Sequence, residues 1–108
     1  MKRRLPVPAE RVPAAGQRAL LELEGNSIAL FNLDGQFYAI ADSCPHQGSS
    51  LCAGQLQGRL IQCRAHGLRF DLASGYLANS DKLRVATYPV ADEGGQMFIL
   101  IDCEVSAP

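Results

Sequence analysis

The sequence predicts an all-β fold, and three observations carry that reading. Apolar and polar residues alternate over short stretches, the period that gives a strand one buried face. Ten glycines separate those stretches, some in the pairs that favour tight hairpins: Gly25-Asn26 and Asp34-Gly35, with Gly94-Gly95 as a further turn. The 108-residue length suits one domain. A chain of that size buries about 60–70% of its unfolded surface, enough for a small core.

Taken in order, Met1-Lys2-Arg3-Arg4-Leu5-Pro6-Val7-Pro8 opens with basic residues that hint at an export signal. No long apolar segment follows and two prolines interrupt it, so it reads as a short edge strand. Pro8 to Gly16 reads as turn, with one helical turn at Ala9-Glu10-Arg11. Gln17 to Glu24, Ser27 to Leu33 and Gln36 to Ala41 form a three-stranded meander, enough to serve as a base. Arg59 to Gln62 and Arg69 to Leu72 read as a further pair of strands, with Ser74-Gly75 as the next turn. Tyr76 to Leu83 is polar and irregular. Val85 to Val90 is a strand, and Pro89 within it marks an edge or an end. Gln96 to Asp102 is the last strand.

Chemistry concentrates between Cys44 and Asp71. One box reads Cys44-Pro45-His46-Gln47-Gly48, the other Cys63-Arg64-Ala65-His66-Gly67-Leu68-Arg69-Phe70-Asp71. A lone cysteine is usually a small buried hydrophobe, and a lone histidine is usually structural. Here the only two histidines of the chain each lie within three residues of a cysteine. Two thiolates and two imidazoles suit tetrahedral iron or zinc. A zinc finger groups its cysteines first and its histidines later; this chain gives each box one of each. Near-neutral charge, with ten basic against eleven acidic residues, indicates neither nucleic acid nor an anionic membrane as partner. Aliphatic or aromatic runs such as Phe98-Ile99-Leu100-Ile101 are too short for a membrane span. A cytoplasmic location is expected, and there four cysteines favour metal over disulfides.

The two boxes resemble the Rieske [2Fe–2S] family, in which two histidines replace two cysteines on one iron. The resemblance implies a Rieske iron–sulfur fold: an antiparallel β base with a small cluster-binding sub-domain of two hairpin loops, about residues 43–72, within a single domain over 1–108. It implies one [2Fe–2S] cluster, with Cys44 and Cys63 on one iron and His46 and His66 on the other. Two ferric ions, two sulfides and two thiolates sum to about zero charge, so an added electron is easier to accept than on an all-cysteine centre. The family range is about −150 to +300 mV. High-potential members carry a serine after the His-Gly pair, a tyrosine two residues on, and a disulfide between the boxes. Leu68, Phe70, Ser49 and Ala65 stand at those places, which predicts a low potential. The second box departs from the family form at Arg64, where proline is usual, and at Ala65, where an aromatic residue is frequent. The stretch Leu72 to Thr87 also lacks the proline usual in the covering loop.

Low-potential single-domain members are ferredoxins, so the resemblance implies an electron carrier, not an enzyme. Its partners would be a flavin-dependent ferredoxin reductase and a terminal oxygenase, docked in turn by a monomer. No histidines remain for a mononuclear iron triad, and no nucleotide-binding glycine motif is present. Two alternatives stand beside this: the small Rieske-type subunit of an NADH-dependent assimilatory nitrite reductase, with that enzyme's large subunit as partner, and a zinc-stabilised interaction module. Cys52 and Cys103 are expected to be structural, Tyr76 and Tyr88 to pack, and Arg64 and Arg69 to be solvated or to meet an acidic partner.

Overall fold

Ile28-Ala29-Leu30-Phe31 is buried at every position, the mark of a strand covered on both faces. Ile28 and Leu30 belong to one apolar cluster, with Val7, Leu21, Ala39, Met97 and Ile99. Ala29 and Phe31 belong to another, with Ile40, Leu51, Ile61, Phe70 and Val85 among its members. One sheet is therefore the middle layer of three. The computed structural model describes residues 2–42, 50–63, 67–78 and 83–102.

The elements run β1 (Lys2–Val7), a 3₁₀ turn at Ala9–Arg11, β2 (Arg18–Leu23), β3 (Asn26–Leu33), β4 (Gln36–Ala41), β5 (Gln55–Gln57), β6 (Leu60–Gln62), β7 (Arg69–Asp71), β8 (Thr87–Tyr88), β9 (Val90–Glu93) and β10 (Gln96–Asp102). Among the described residues they form three sheets, ordered β1-β10-β9, β2-β3-β4-β8 and β5-β6-β7. Every strand pair is antiparallel. The first two sheets form the base and the third is the small sheet.

The edge strand expected at the N-terminus is β1, and the meander is β2-β3-β4 with β8 added at its side. Pro89 does more than end a strand. It separates β8, in the middle sheet, from β9, in the outer one, because a residue without an N–H cannot continue a ladder. One turn is displaced from its expected place. The first hairpin turns at Glu24-Gly25, not Gly25-Asn26; Glu24 and Gly25 have φ of 50° and 82°, and Leu23 pairs with Asn26. This register sets Leu21 opposite Ile28, both in the same cluster, and a one-residue slip would turn one of them outward. β5 was not foreseen; three residues with Gln at both ends give little alternation to read.

Candidate metal centre

Both box necks are fixed by described residues. Asp42, buried at the end of β4, donates its N–H to Ser27 O at 3.0 Å. Its carbonyl accepts the Leu51 N–H at 2.5 Å, and its carboxylate Oδ1 accepts the Cys52 N–H at 2.7 Å. The chain thus leaves and rejoins the base at one residue. Arg18 on β2 donates to the carbonyls of Cys52 (3.0 Å) and Gly54 (2.5 Å), with its guanidinium 5.6 Å from the Phe31 ring centre.

The second box is the loop of the β6–β7 hairpin, where Gln62 pairs with Arg69. Cys63 donates its N–H to Leu68 O (2.7 Å), and its own carbonyl accepts the Gly67 N–H (2.9 Å). Cys63 is fully buried, in the cluster with Leu51, Ile61 and Phe70. Gly54 joins the two necks. A Cβ there would stand 2.1 Å from Gln62 O, so the exit of the first box lies directly against the residue that enters the second.

Of the four residues read as ligands, only Cys63 is described. Cys44, His46 and His66 lie outside the described residues, as do Gln47, Ser49, Arg64, Ala65 and Cys103. The donor chemistry fits an iron–sulfur centre. Cys63 is held at a cleft of about 260 Å³ lined also by Gln55, Gln62 and Gly67, His66 follows it by three residues, and Gly54, after the first box, lies against Gln62, just before the second.

The neighbouring residues divide as follows. Cys52 is half-buried. Burial, then the Asp42 carboxylate, push its thiol above the ordinary value, and Arg18 pulls it partly back, which leaves little reactive thiolate. Phe70 is wholly enclosed and Leu68 packs against the same cluster. Tyr88 packs against the base core. Tyr76 does not pack as expected: it is 41% exposed, with the Arg84 guanidinium 5.5 Å from its ring centre. What sequence reasoning missed was the pair Asp42 and Arg18. Their signal, an acidic residue two before Cys44 and an arginine on a base strand, has no meaning until the chain is folded.

Fold and sequence together define a class: a layered β protein whose small sheet holds Cys63 buried at its end, in a chain that pairs each of two cysteines with a histidine. The chain belongs to the family described as Rieske [2Fe-2S] domain, which matches residues 5–89. It binds one Rieske-type [2Fe–2S] cluster and is an electron carrier rather than an enzyme, which overturns the zinc alternative. It is 43% identical over 76 residues to the 3-phenylpropionate/cinnamic acid dioxygenase ferredoxin subunit of Shigella flexneri serotype 5b (strain 8401), covering 67% of this chain and 70% of the relative. A solved complex of reduced oxygenase and oxidized ferredoxin in carbazole 1,9a-dioxygenase contains a chain 28% identical to this one, with a TM-score of 0.76, covering 88% of this chain and 99% of that one. The putative NADH-dependent nitrite reductase small subunit of Mycobacterium tuberculosis shares the fold, with a TM-score of 0.81 over 96% of this chain and 99% of that one, at 21% identity. Among the described residues no helix is long and apolar enough to cross a membrane.

Proposed function

We propose that this protein, a cytoplasmic monomer, takes electrons from a flavin-dependent ferredoxin reductase and delivers them singly to the terminal oxygenase of a ring-hydroxylating dioxygenase system. The observation that carries this is the 43% identity to a dioxygenase ferredoxin subunit, set against a nitrite reductase likeness of 21% that speaks to fold alone. Residues 1–108 act as one domain, with about 43–72 as the cluster-binding sub-domain. Cys44 and Cys63 bind one iron, and His46 and His66 the other.

The cluster supplies a site where one electron rests at a potential raised by neutral histidine ligands. The chain's own residues hold that site. Cys63 sits at the end of a hairpin whose two backbone hydrogen bonds fix its direction, so little has to reorganise when the charge changes. The apolar packing of Leu68 and Phe70 places no side-chain hydroxyl at those two positions. The potential therefore lies toward the lower end of about −150 to +300 mV. A titration well above zero would refute this part of the reading.

The test is to mix the reduced protein with terminal oxygenases and with a nitrite reductase large subunit, and to follow re-oxidation in the visible spectrum. Re-oxidation by an oxygenase is expected; acceptance by the nitrite enzyme alone overturns the proposal. For the ligand set, His66→Cys replaces a neutral ligand by a charged one and lowers the potential of any centre that forms. A rise contradicts the assignment.

A further inference from the structure

The small sheet has an outer face that holding the cluster does not explain. Its inner row, Leu56–Ile61–Phe70, packs on the core shared with the base. The residues that alternate with that row point away from the core. Gln55 pairs with Gln62, and Gln62 with Arg69, a row across all three strands at the end next to Cys63. These side chains border a cleft of about 210 Å³, together with Leu56, Gln57 and Leu60. Gln55 and Gln62 also border the cleft beside Cys63. The row offers the Gln55 amide and the Arg69 guanidinium as donors, with the second N–H of the Gln62 amide, whose nitrogen already donates to Gly67 O at 3.3 Å. Asp71, on the neighbouring row, is held by Arg59 at 3.1 Å. Arg69 is exposed and has no ion pair among the described residues.

The distribution of charge has the same direction. Residues 43–86 hold five basic residues (Arg59, Arg64, Arg69, Lys82 and Arg84) against two acidic ones, Asp71 and Asp81. The rest of the chain holds five basic against nine acidic. A protein with a formal net charge of −1 therefore carries its basic excess in residues 43–86, which include the cluster-binding sub-domain, and its acidic excess in the rest of the chain.

We infer that the Gln55–Gln62–Arg69 face is the docking surface for the terminal oxygenase, and that it receives an acidic patch whose carboxylates enter the glutamine-lined cleft. This rests on the electron-carrier reading above and adds to it the chemistry of the contact. An arginine fork and amide N–H groups bind carboxylate directionally, and such a surface speeds encounter with an acidic partner at low salt.

The probe is a labelled hexaglutamate peptide added to the oxidised holoprotein at low ionic strength, with binding read by fluorescence anisotropy. Arg69→Glu is expected to weaken binding at least tenfold, and Gln55→Glu severalfold. Arg11→Glu changes the net charge as much as Arg69→Glu does, but on the base, and is expected to change binding less than twofold. Each variant is first checked for the visible spectrum of the cluster. Equal losses for Arg69→Glu and Arg11→Glu, or no binding by the unaltered protein, overturn the inference. In parallel, the rate of re-oxidation by the terminal oxygenase is expected to fall as salt rises. A rate that holds or climbs with salt overturns the docking surface while leaving the function intact. No transfer to any oxygenase at any salt, with peptide binding as expected, removes the function and leaves the acidic-ligand surface standing.

Discussion

The base and the small sheet are built from the same residue types on different terms. In the base, β1 and β10 pair over six positions, and so do β2 and β3. The centre of its middle sheet, Ile28 to Phe31, is buried on both faces. The small sheet has three strands of three residues each, too few ladder bonds for an independent sheet. It stands because its inner row packs on Phe31 and Ile40 of the base and because Asp42, Arg18 and Gly54 tie its necks. The base is held by layered apolar burial, whereas the small sheet rests on one shared core face and a few polar ties, and is expected to depend on the metal centre.

The largest expected effect follows from removing that centre. Metal binding contributes directly to folding where the site does not exist in the unfolded chain. Cys63→Ala should abolish the cluster and leave a cavity in the core. Hydrogen exchange should then show β5, β6 and β7 losing most of their protection while β2, β3 and β10 keep theirs. Equal loss in both regions would show that the two are one cooperative unit.

A second contrast sets two glycines against each other. Gly54→Ala places a methyl group 2.1 Å from the Gln62 carbonyl oxygen. Backbone has to move, and it is the backbone that enters the second box. A cost of about 3 kcal/mol or more, at the upper end for overpacking, should come with a drop in iron and sulfide per protein. Gly25→Ala, at φ 82° in open space on the base, should cost about 1–2 kcal/mol through backbone strain alone. It should leave cluster content unchanged. Thermal unfolding with iron analysis on the two variants checks both halves.

Next in size is the neck. Asp42→Ala removes the acceptor of the Cys52 N–H, a hydrogen bond to a charged group worth about 1.5–3 kcal/mol. Asp42→Asn keeps an oxygen in place and should recover much of the loss. If the two variants are equally destabilised, the carboxylate acts through its charge and not as the tie described above.

Much of this contrast could be read in the chain itself, and unevenly. β4 and β10 are legible to the residue, since Gln36–Ala41 and Gln96–Asp102 each begin straight after a glycine pair or Asp-Gly turn that forces the chain back. The 3₁₀ turn at Ala9–Arg11 followed from its prolines. The first turn slipped by one because sequence favours Gly-Asn, whereas burial of Leu21 against Ile28 decides the register. β5 was illegible because three residues are shorter than any period they could show. The boxes stood out through the rarity of histidine, yet Asp42 and Arg18 did not. A polar tie between β2 and residue 52 is a long-range pairing, and nothing local in a sequence records it.

The smallest expected effect concerns the far row of the small sheet and separates local charge from the metal-dependent stability around it. Burial pushes the Asp71 carboxyl up, but the Ala73 N–H, the Arg59 guanidinium and the Ser74 N–H outweigh it and hold the group below its ordinary value of 3.8. A lowered folded value means that its stabilisation is complete above the unfolded value and is lost as pH falls through the folded one. Asp71→Asn keeps an oxygen for Ala73 and Ser74 and loses only the charge facing Arg59, an exposed partner. Its melting point should therefore drop less than that of any variant above. Anaerobic urea unfolding should give the same gap from the unaltered protein at about pH 7 and pH 5, both above 3.8, and a gap that begins to close near pH 4. A gap that changed between the first two would mean that the titrating group is not Asp71, and that charge in the small sheet is coupled to something nearer the cluster.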